Sequence, residues 1–232
     1  GHGAQAPERA HRAGAPVIIT VISSGLSRLG ARCLESVNGQ VGVVVDHRVV
    51  SVDQQVPRLT KIENLRACIA DLPADRIVAL VDLDDWLTDE RALSLVAELH
   101  QAGAWVTYGS FTYADGRPGF AGAYAPGESV RTSRWRATHL KTFRAGLFRA
   151  IDSDDLCFRG TWIDRADDVA FMLPMLEMAG HERAVYIDRP LYCYDLSTSF
   201  EFSASEDERR HEKEIHAYVR SLPSYARLEA LS

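Results

Sequence analysis

Through the first 110 residues, short apolar runs alternate with stretches whose apolar positions recur every three or four residues, the pattern of alternating strands and helices. Pro16 to Ile22 (PVIITVI) is a continuous β-branched run, as expected of a strand buried on both faces, and Ser23-Ser24-Gly25 break it. Leu26, Leu29, Cys33, Leu34 and Val37 follow at helical spacing. Val41 to Asp46 (VGVVVD) reads as a second buried strand. Leu59 to Leu72 reads as an amphipathic helix with Leu65, Cys68, Ile69 and Leu72 on its inner side. Arg76 to Leu83 (RIVALVDL) is a third strand, and it ends in acid. Thr88-Asp89-Glu90 offers a hydroxyl cap and first-turn carboxylates to a helix that runs to Gln101, and Ala104 to Tyr108 is a fourth strand.

The order predicts an α/β fold: a Rossmann-like, mostly parallel sheet with helices on both faces. Ligands in such sheets sit beyond the carboxyl ends of the strands. Ser23, Asp46 and the cluster Asp82 to Asp85 are all expected at those ends.

The second half changes character. Tyr113 to Val130 is rich in Gly, Pro, Tyr and Ala and reads as loops. His139 to Ile151 is expected to be helical. Ala166 to Ala179 predicts a helix with a Met-rich face, which Pro174 bends or delays and Gly180 stops. Ala184 to Ile187 and Leu191 to Tyr194 read as short strands, and Glu206 to Val219 as a charged helix, so the C-terminal part is helical.

The chain has 232 residues, ample for a sizeable core, with 46% hydrophobic and 25% charged residues. A formal net charge of -6 argues against non-specific coating of nucleic acid. Cys33, Cys68, Cys157 and Cys193 show no C-x-x-C spacing and fit free thiols in a reducing, cytoplasmic setting. No apolar run reaches the length of a membrane span. Residues 1–15 read as a loose leader, with Gly1-His2-Gly3 as a tag remnant.

Asp82-Leu83-Asp84-Asp85-Trp86 is the most informative motif. Alternation along a strand would place Asp82 and Asp84 on one side. Three crowded carboxylates repel one another, and a hard cation such as Mg²⁺ or Mn²⁺ relieves that repulsion through oxygen ligands. Mg²⁺ completes its shell with water and substrate phosphate, so a nucleotide diphosphate would finish the site. A solvated turn with a helix cap is the alternative; the position at the ligand edge of the sheet favours the metal.

Arg131, Arg134, Arg136, Lys141, Arg144 and Arg149 lie in one stretch with no acid between them, and Trp135, His139 and Phe143 are interleaved. A solvated basic face over a Trp135 and Phe143 core is one reading. His139 and Lys141 gripping a diphosphate is a second. An anionic or nucleic-acid acceptor held by charge and stacking is a third.

The stretches PVIITVISSG, SRLGARCLESVNGQ, VALVDLDDWL, WRATHLKTFRAGLF, DDVAFMLPMLEMAG and LYCYD together resemble the family 2 glycosyltransferases of the GT-A fold, over residues 16 to 200. AYVRSLPSYARL is similar to the ends of short, stand-alone bacterial and viral members. The resemblance implies an inverting, metal-dependent transfer of a sugar from a nucleotide-sugar donor, most often a UDP-sugar. It implies Asp84 as metal ligand with Asp85 beside it, Asp82 at the ribose or metal, Asp46 at the nucleobase, and Thr20 and Ser23 along the nucleotide. Asp168 or its neighbour Asp167 is implied as the base. It divides the chain into a nucleotide-sugar-binding half (16–110), an acceptor-binding and catalytic half (111–204) and a C-terminal helix and tail (205–232). Two positions depart from the family: Asp46-His47-Arg48 replaces a D-D-x-S-like turn, and Asp167-Asp168 replaces the commoner Glu-Asp. The acceptor stays open between a glycan, a small molecule and a hydroxymethylated pyrimidine in DNA. A non-catalytic nucleotide-binding domain of the same fold is the further alternative.

Overall fold

The computed structural model describes residues 16–198 and 204–231, so the leader expected over 1–15 lies outside the described residues. A seven-stranded sheet organises them. Its strands are β1 (Ile18–Gly25), β2 (Val44–Ser51), β3 (Ile77–Leu80), β4 (Trp86–Leu87), β5 (Val106–Tyr113), β6 (Lys141–Arg144) and β9 (Ala184–Tyr194), in the order β2-β1-β3-β6-β5-β9-β4. A hairpin of β7 (Cys157–Phe158) and β8 (Thr161–Trp162) stands apart from it.

Alternation along the strands splits the core into two layers. On one side Ile19 and Val21 of β1 and Ile77 and Ala79 of β3 pack with Cys33 and Val37 of α1 (Ala31–Asn38) and Leu93 and Val96 of α3 (Ala92–Gln101). On the other, Ile22, Val78 and Leu80 pack with Ile62, Leu65 and Ile69 of α2 (Lys61–Ile69). The same layer holds Leu147 and Phe148 of α4 (Ala145–Arg149), Phe171 and Met172 of α5 (Asp167–Ala179), and Ile215 and Val219 of α6 (Glu206–Ser221). Helices therefore cover both faces, as the order of elements predicts. The methionines of α5 are core, and Gly180 ends that helix at φ 69°, where only glycine is unstrained.

The longer pairings β1-β2, β1-β3 and β5-β9 are parallel, as expected, and the short pairings β3-β6, β5-β6 and β4-β9 are antiparallel. Several local expectations are corrected. The expected helix over His139–Ile151 is a strand over Lys141–Arg144, wedged between β3 and β5, with a helix only from Ala145. Its Lys141-Thr142-Phe143 run is buried on both faces, and the two ladders supply hydrogen bonds that no local period announces. β1 runs on through Ser23-Ser24-Gly25, because β2 pairs with it to Ser51. β2 starts at Val44 rather than Val41 and is an edge strand, with Val44 and Val49 over 40% exposed. Thr88 does not cap α3: its hydroxyl donates to the Pro190 carbonyl. The two strands expected at 184–187 and 191–194 are one strand, with a register shift opposite Gly109 and Phe111.

Candidate active site

β3 stops at Leu80, and the acidic residues follow it in a turn closed by the Asp85 amide donating to the Asp82 carbonyl at 3.0 Å. This turn, rather than strand alternation, is what brings Asp82 and Asp84 to the same opening. The turn rests on β1, with the Leu83 amide bonded to the Ser24 carbonyl. Gly25 permits that approach: a Cβ there would stand 3.0 Å from the Leu83 Cβ, at a φ of 153°.

Asp82 and Asp84 open into a cleft of about 490 Å³, lined also by Ser24, Gly25, Lys61, Arg165 and Asp167. Lys61 is the first residue of α2, which a capping box of Thr60 and Glu63 starts. Its Nζ donates to Asp82 Oδ1 at 2.7 Å and lies 3.9 Å from Asp167 Oδ2. Burial works to lower the lysine pKa, yet the charges of Asp82 and Asp167 outweigh it and hold the ammonium above its usual range. Burial likewise works to raise Asp82, and Lys61 outweighs it, so Asp82 is held low. Asp84 is raised, by burial first and then by Asp82; its Oδ2 accepts from the Thr198 hydroxyl at 2.9 Å. Asp167 Oδ2 is buried with no hydrogen-bond partner, and burial raises that carboxyl.

Asp85 plays a different part. It is fully buried and outside the cleft lining, and its oxygens accept from the Tyr192 hydroxyl at 2.6 Å and the Asp195 amide at 2.8 Å. The same tyrosine hydroxyl accepts from the Asp82 amide at 3.2 Å, so one group clamps both ends of the turn. Burial, then Asp82, pushes the Asp85 carboxyl up to about 8. One ligand atom each of Asp82, Asp85 and His139 lie within 4.8 Å of one another. Asp82 is nevertheless held by Lys61 and Asp85 by Tyr192, which leaves the Asp84 side of the turn facing the cleft.

Asp167 and Asp168 begin α5, behind Ala166 in the left-handed conformation (φ 50°). Asp167 faces the acidic cleft. Asp168 lines a second cavity of about 230 Å³ with Phe111, Trp135, His139, Tyr194 and His216, and its Oδ2 lies 3.6 Å from Lys141 Nζ. Lys141 is buried in β6 beneath it, not at a helix start. His139 stacks on Tyr192 (4.5 Å between ring centroids) and Tyr194 (5.5 Å), and burial, then Lys141, drives its pKa well down. His139 therefore lines the aromatic cavity rather than the acidic cleft.

Three implied nucleotide residues are absent from the cleft lining. Thr20 is fully buried in mid-strand and donates to Asp46 at 3.0 Å. Asp46 stands opposite it in β2, near the strand's start, and pairs with Arg48. Ser23 is buried against Cys33 and His47. The late start of β2 is the reason: Asp46 falls early in the strand and Ser51 at its end. Lys61, Arg165 and Thr198 escaped the sequence reading. Only Lys61 carried a signal, as the one lysine just inside a capped helix near the first strands.

The basic stretch disperses. Arg131 makes a buried two-pronged pair with Glu177, Arg136 pairs with Glu128, Arg144 caps the Asp75 and His100 carbonyls, and Arg149 reaches the Leu72 carbonyl. These contacts belong to packing, and the pair with Glu177 is of the kind whose halves cost about 3–5 kcal/mol to separate.

No family model and no curated protein matches the chain. Among solved structures it is similar to glucosyl-3-phosphoglycerate synthase from Mycobacterium tuberculosis in complex with Mg²⁺ and uridine-diphosphate, with TM-score 0.56 and 14% identity over 90% of this chain and 81% of that one. It is also similar to S. aureus TarS, with TM-score 0.54 and 15% identity over 88% of this chain and 42% of that one, so it spans less than half of that TarS chain. A TarS fragment, residues 1-349 in complex with UDP-GlcNAc, aligns with TM-score 0.53 and 12% identity, over 88% of this chain and 65% of that one. Among the described residues no helix is long and apolar enough to cross a membrane. The curled, helix-covered mixed sheet ending in an acidic turn is thus the GT-A fold that the sequence resemblance implied.

Proposed function

We propose that the chain is a metal-dependent, inverting glycosyltransferase that uses a UDP-sugar. The observation that carries this reading is the opening of Asp82 and Asp84 into one cleft beside Lys61 and an Asp167 oxygen that accepts no hydrogen bond, at the carboxyl edge of a GT-A sheet. Crystallised fold neighbours bind UDP with Mg²⁺ or Mn²⁺, which supports the nucleotide and the metal class.

The oxygen donors fit a hard divalent cation: Asp84 faces the cleft, Asp82 adjoins it, and such ions take one or two protein carboxylates. Held there, the cation supplies charge neutralisation to the departing diphosphate. Lys61 orients Asp82 and adds positive charge on the same side. Tyr192 and Asp85 keep the turn in place. Asp168, on the side away from the cleft, is the base. It takes the proton of the acceptor hydroxyl as that oxygen bonds to the anomeric carbon. The bond from that carbon to the β-phosphate oxygen breaks, and its electron pair leaves with UDP.

Incubation with UDP- and GDP-sugars and Mn²⁺, then with chelator, tests the reading through released nucleotide. Chelator-sensitive release of UDP is expected, and Asp84→Ala should lower it about a hundred-fold or more while the protein stays folded. Tight UDP binding with no turnover for any donor would favour a non-catalytic binding domain instead.

A further inference from the structure

The cavity beside Asp168 has a composition that the donor site does not require. Phe111, Tyr113, Phe120, Trp135, His139 and Tyr194 line about 230 Å³. Phe111 meets Tyr113, Phe120, His139 and Tyr194 edge-on at 5.2–6.0 Å between ring centroids. Three rings, Tyr192, His139 and Tyr194, lie nearly parallel. Gly119 lets the segment after β5 close over this box, since a Cβ there would lie 2.4 Å from the Phe111 ring, and the next residue, Phe120, stands 47% exposed at the rim.

The polar groups are equally selective. Asp168 and Glu212 are the charged residues of the lining, which holds no lysine or arginine among the described residues. The nearest lysine, Lys141, is buried and already faces Asp168. His139 stacks against Tyr192 and Tyr194 as part of the aromatic wall, and burial holds His216 below the usual histidine range. An anionic acceptor would find no lysine or arginine in the lining, and a DNA backbone needs cationic contacts to bind. Arg131, Arg136, Arg144 and Arg149 are tied into Glu177, Glu128 and backbone carbonyls, and Arg134, exposed, is not part of the lining.

We infer that this cavity is the acceptor subsite and that it takes an uncharged pyranose ring, free or at the end of a glycan. The volume is below the range of drug-sized pockets and suits a single ring. Electron-rich aromatic faces attract the polarised C–H face of a pyranose, and the Asp168 carboxylate accepts from one of its hydroxyls. The inference rests on the proposed transferase reading, in which one of those hydroxyls yields its proton to Asp168.

Saturation-transfer NMR on the full chain with Mg²⁺, which is diamagnetic, and UDP provides the test. The probes are methyl glycosides of neutral hexoses, a neutral disaccharide, a sugar phosphate, and a duplex with hydroxymethylated cytosine. Saturation should pass to ring C–H protons of at least one neutral glycoside. Phe120→Ala and Trp135→Ala should each weaken that signal and raise the acceptor KM about five- to ten-fold, and leave UDP affinity and kcat near wild type. Trp135→Phe should recover most of the loss. Preference for the sugar phosphate or the duplex would overturn the inference, as would unchanged acceptor KM in both alanine variants. Loss of UDP binding by the wild-type protein would instead remove the transferase reading itself.

Discussion

Lys61 Nζ donates to Asp82 Oδ1 at 2.7 Å, and this contact ties the start of α2 to the acidic turn beyond β3. Both side chains are about a quarter exposed, so the pair is partly shielded from water. Lys61→Met leaves Asp82 beside Asp84, Asp85 and Asp167 without its cation. The variant should lose about 1–3 kcal/mol of stability in chelator, by the penalty for an unpaired, largely buried charge. Mn²⁺ should recover more of its melting temperature than it adds to wild type, because the metal then offsets the repulsion alone. Equal Mn²⁺ shifts in the two proteins would show that Lys61 does not act on the metal site.

Asp167 and Asp168 are adjacent in sequence yet line different cavities. Asp168→Asn should therefore lower kcat by about 10²–10⁴, as removal of a general base does, with UDP affinity retained. Asp167→Asn should act mainly on the donor KM. Steady-state kinetics with each substrate varied in turn distinguish the two, and the reverse assignment of effects would make Asp167 the base.

The Tyr192 hydroxyl donates to Asp85 and accepts from the Asp82 amide. Tyr192→Phe removes both bonds from a buried setting and should cost about 1–3 kcal/mol. The turn that presents Asp84 should loosen with it, so Mn²⁺-dependent UDP affinity should fall, by calorimetry, although Tyr192 lies outside the lining of the acidic cleft.

His100 is buried against Thr142, with Nε2 2.8 Å from its hydroxyl and Nδ1 unpartnered. Burial, then the charge of Arg144, pushes its pKa down to about 3. The unfolded chain takes up this proton near pH 6.5 while the folded one does not. The stability it protects is whole above that pH and is lost as pH falls from about 6.5 towards 3, at up to about 1.4 kcal/mol per pH unit. His100→Gln should flatten the fall in denaturant midpoint between pH 7 and 5. An unaltered slope would assign the acid sensitivity to other groups.

Much of the fold was legible locally. β1 and β3 are runs whose residues alternate between two core layers, and α2, α5 and α6 carry a capping box, a Gly180 stop or a strong charge pattern. β6 was not legible: four residues wedged between two antiparallel partners owe their conformation to those ladders. Asp46 was misplaced for a related reason, since pairing with β1 decides where β2 begins.

Local chemistry determined that a hydrophobic strand ends in three carboxylates, that helices alternate with strands ahead of it, and that two acids open a later helix. Those are properties of neighbouring residues, set by periodicity and charge. The tertiary structure decided which carboxylates face a cleft and which are clamped. It also decided that Lys61, 21 residues from Asp82, neutralises it, and that rings from β5, β9 and the loops surround Asp168. Such contacts join segments far apart in the chain, and their energies depend on burial and distance, which no local pattern encodes.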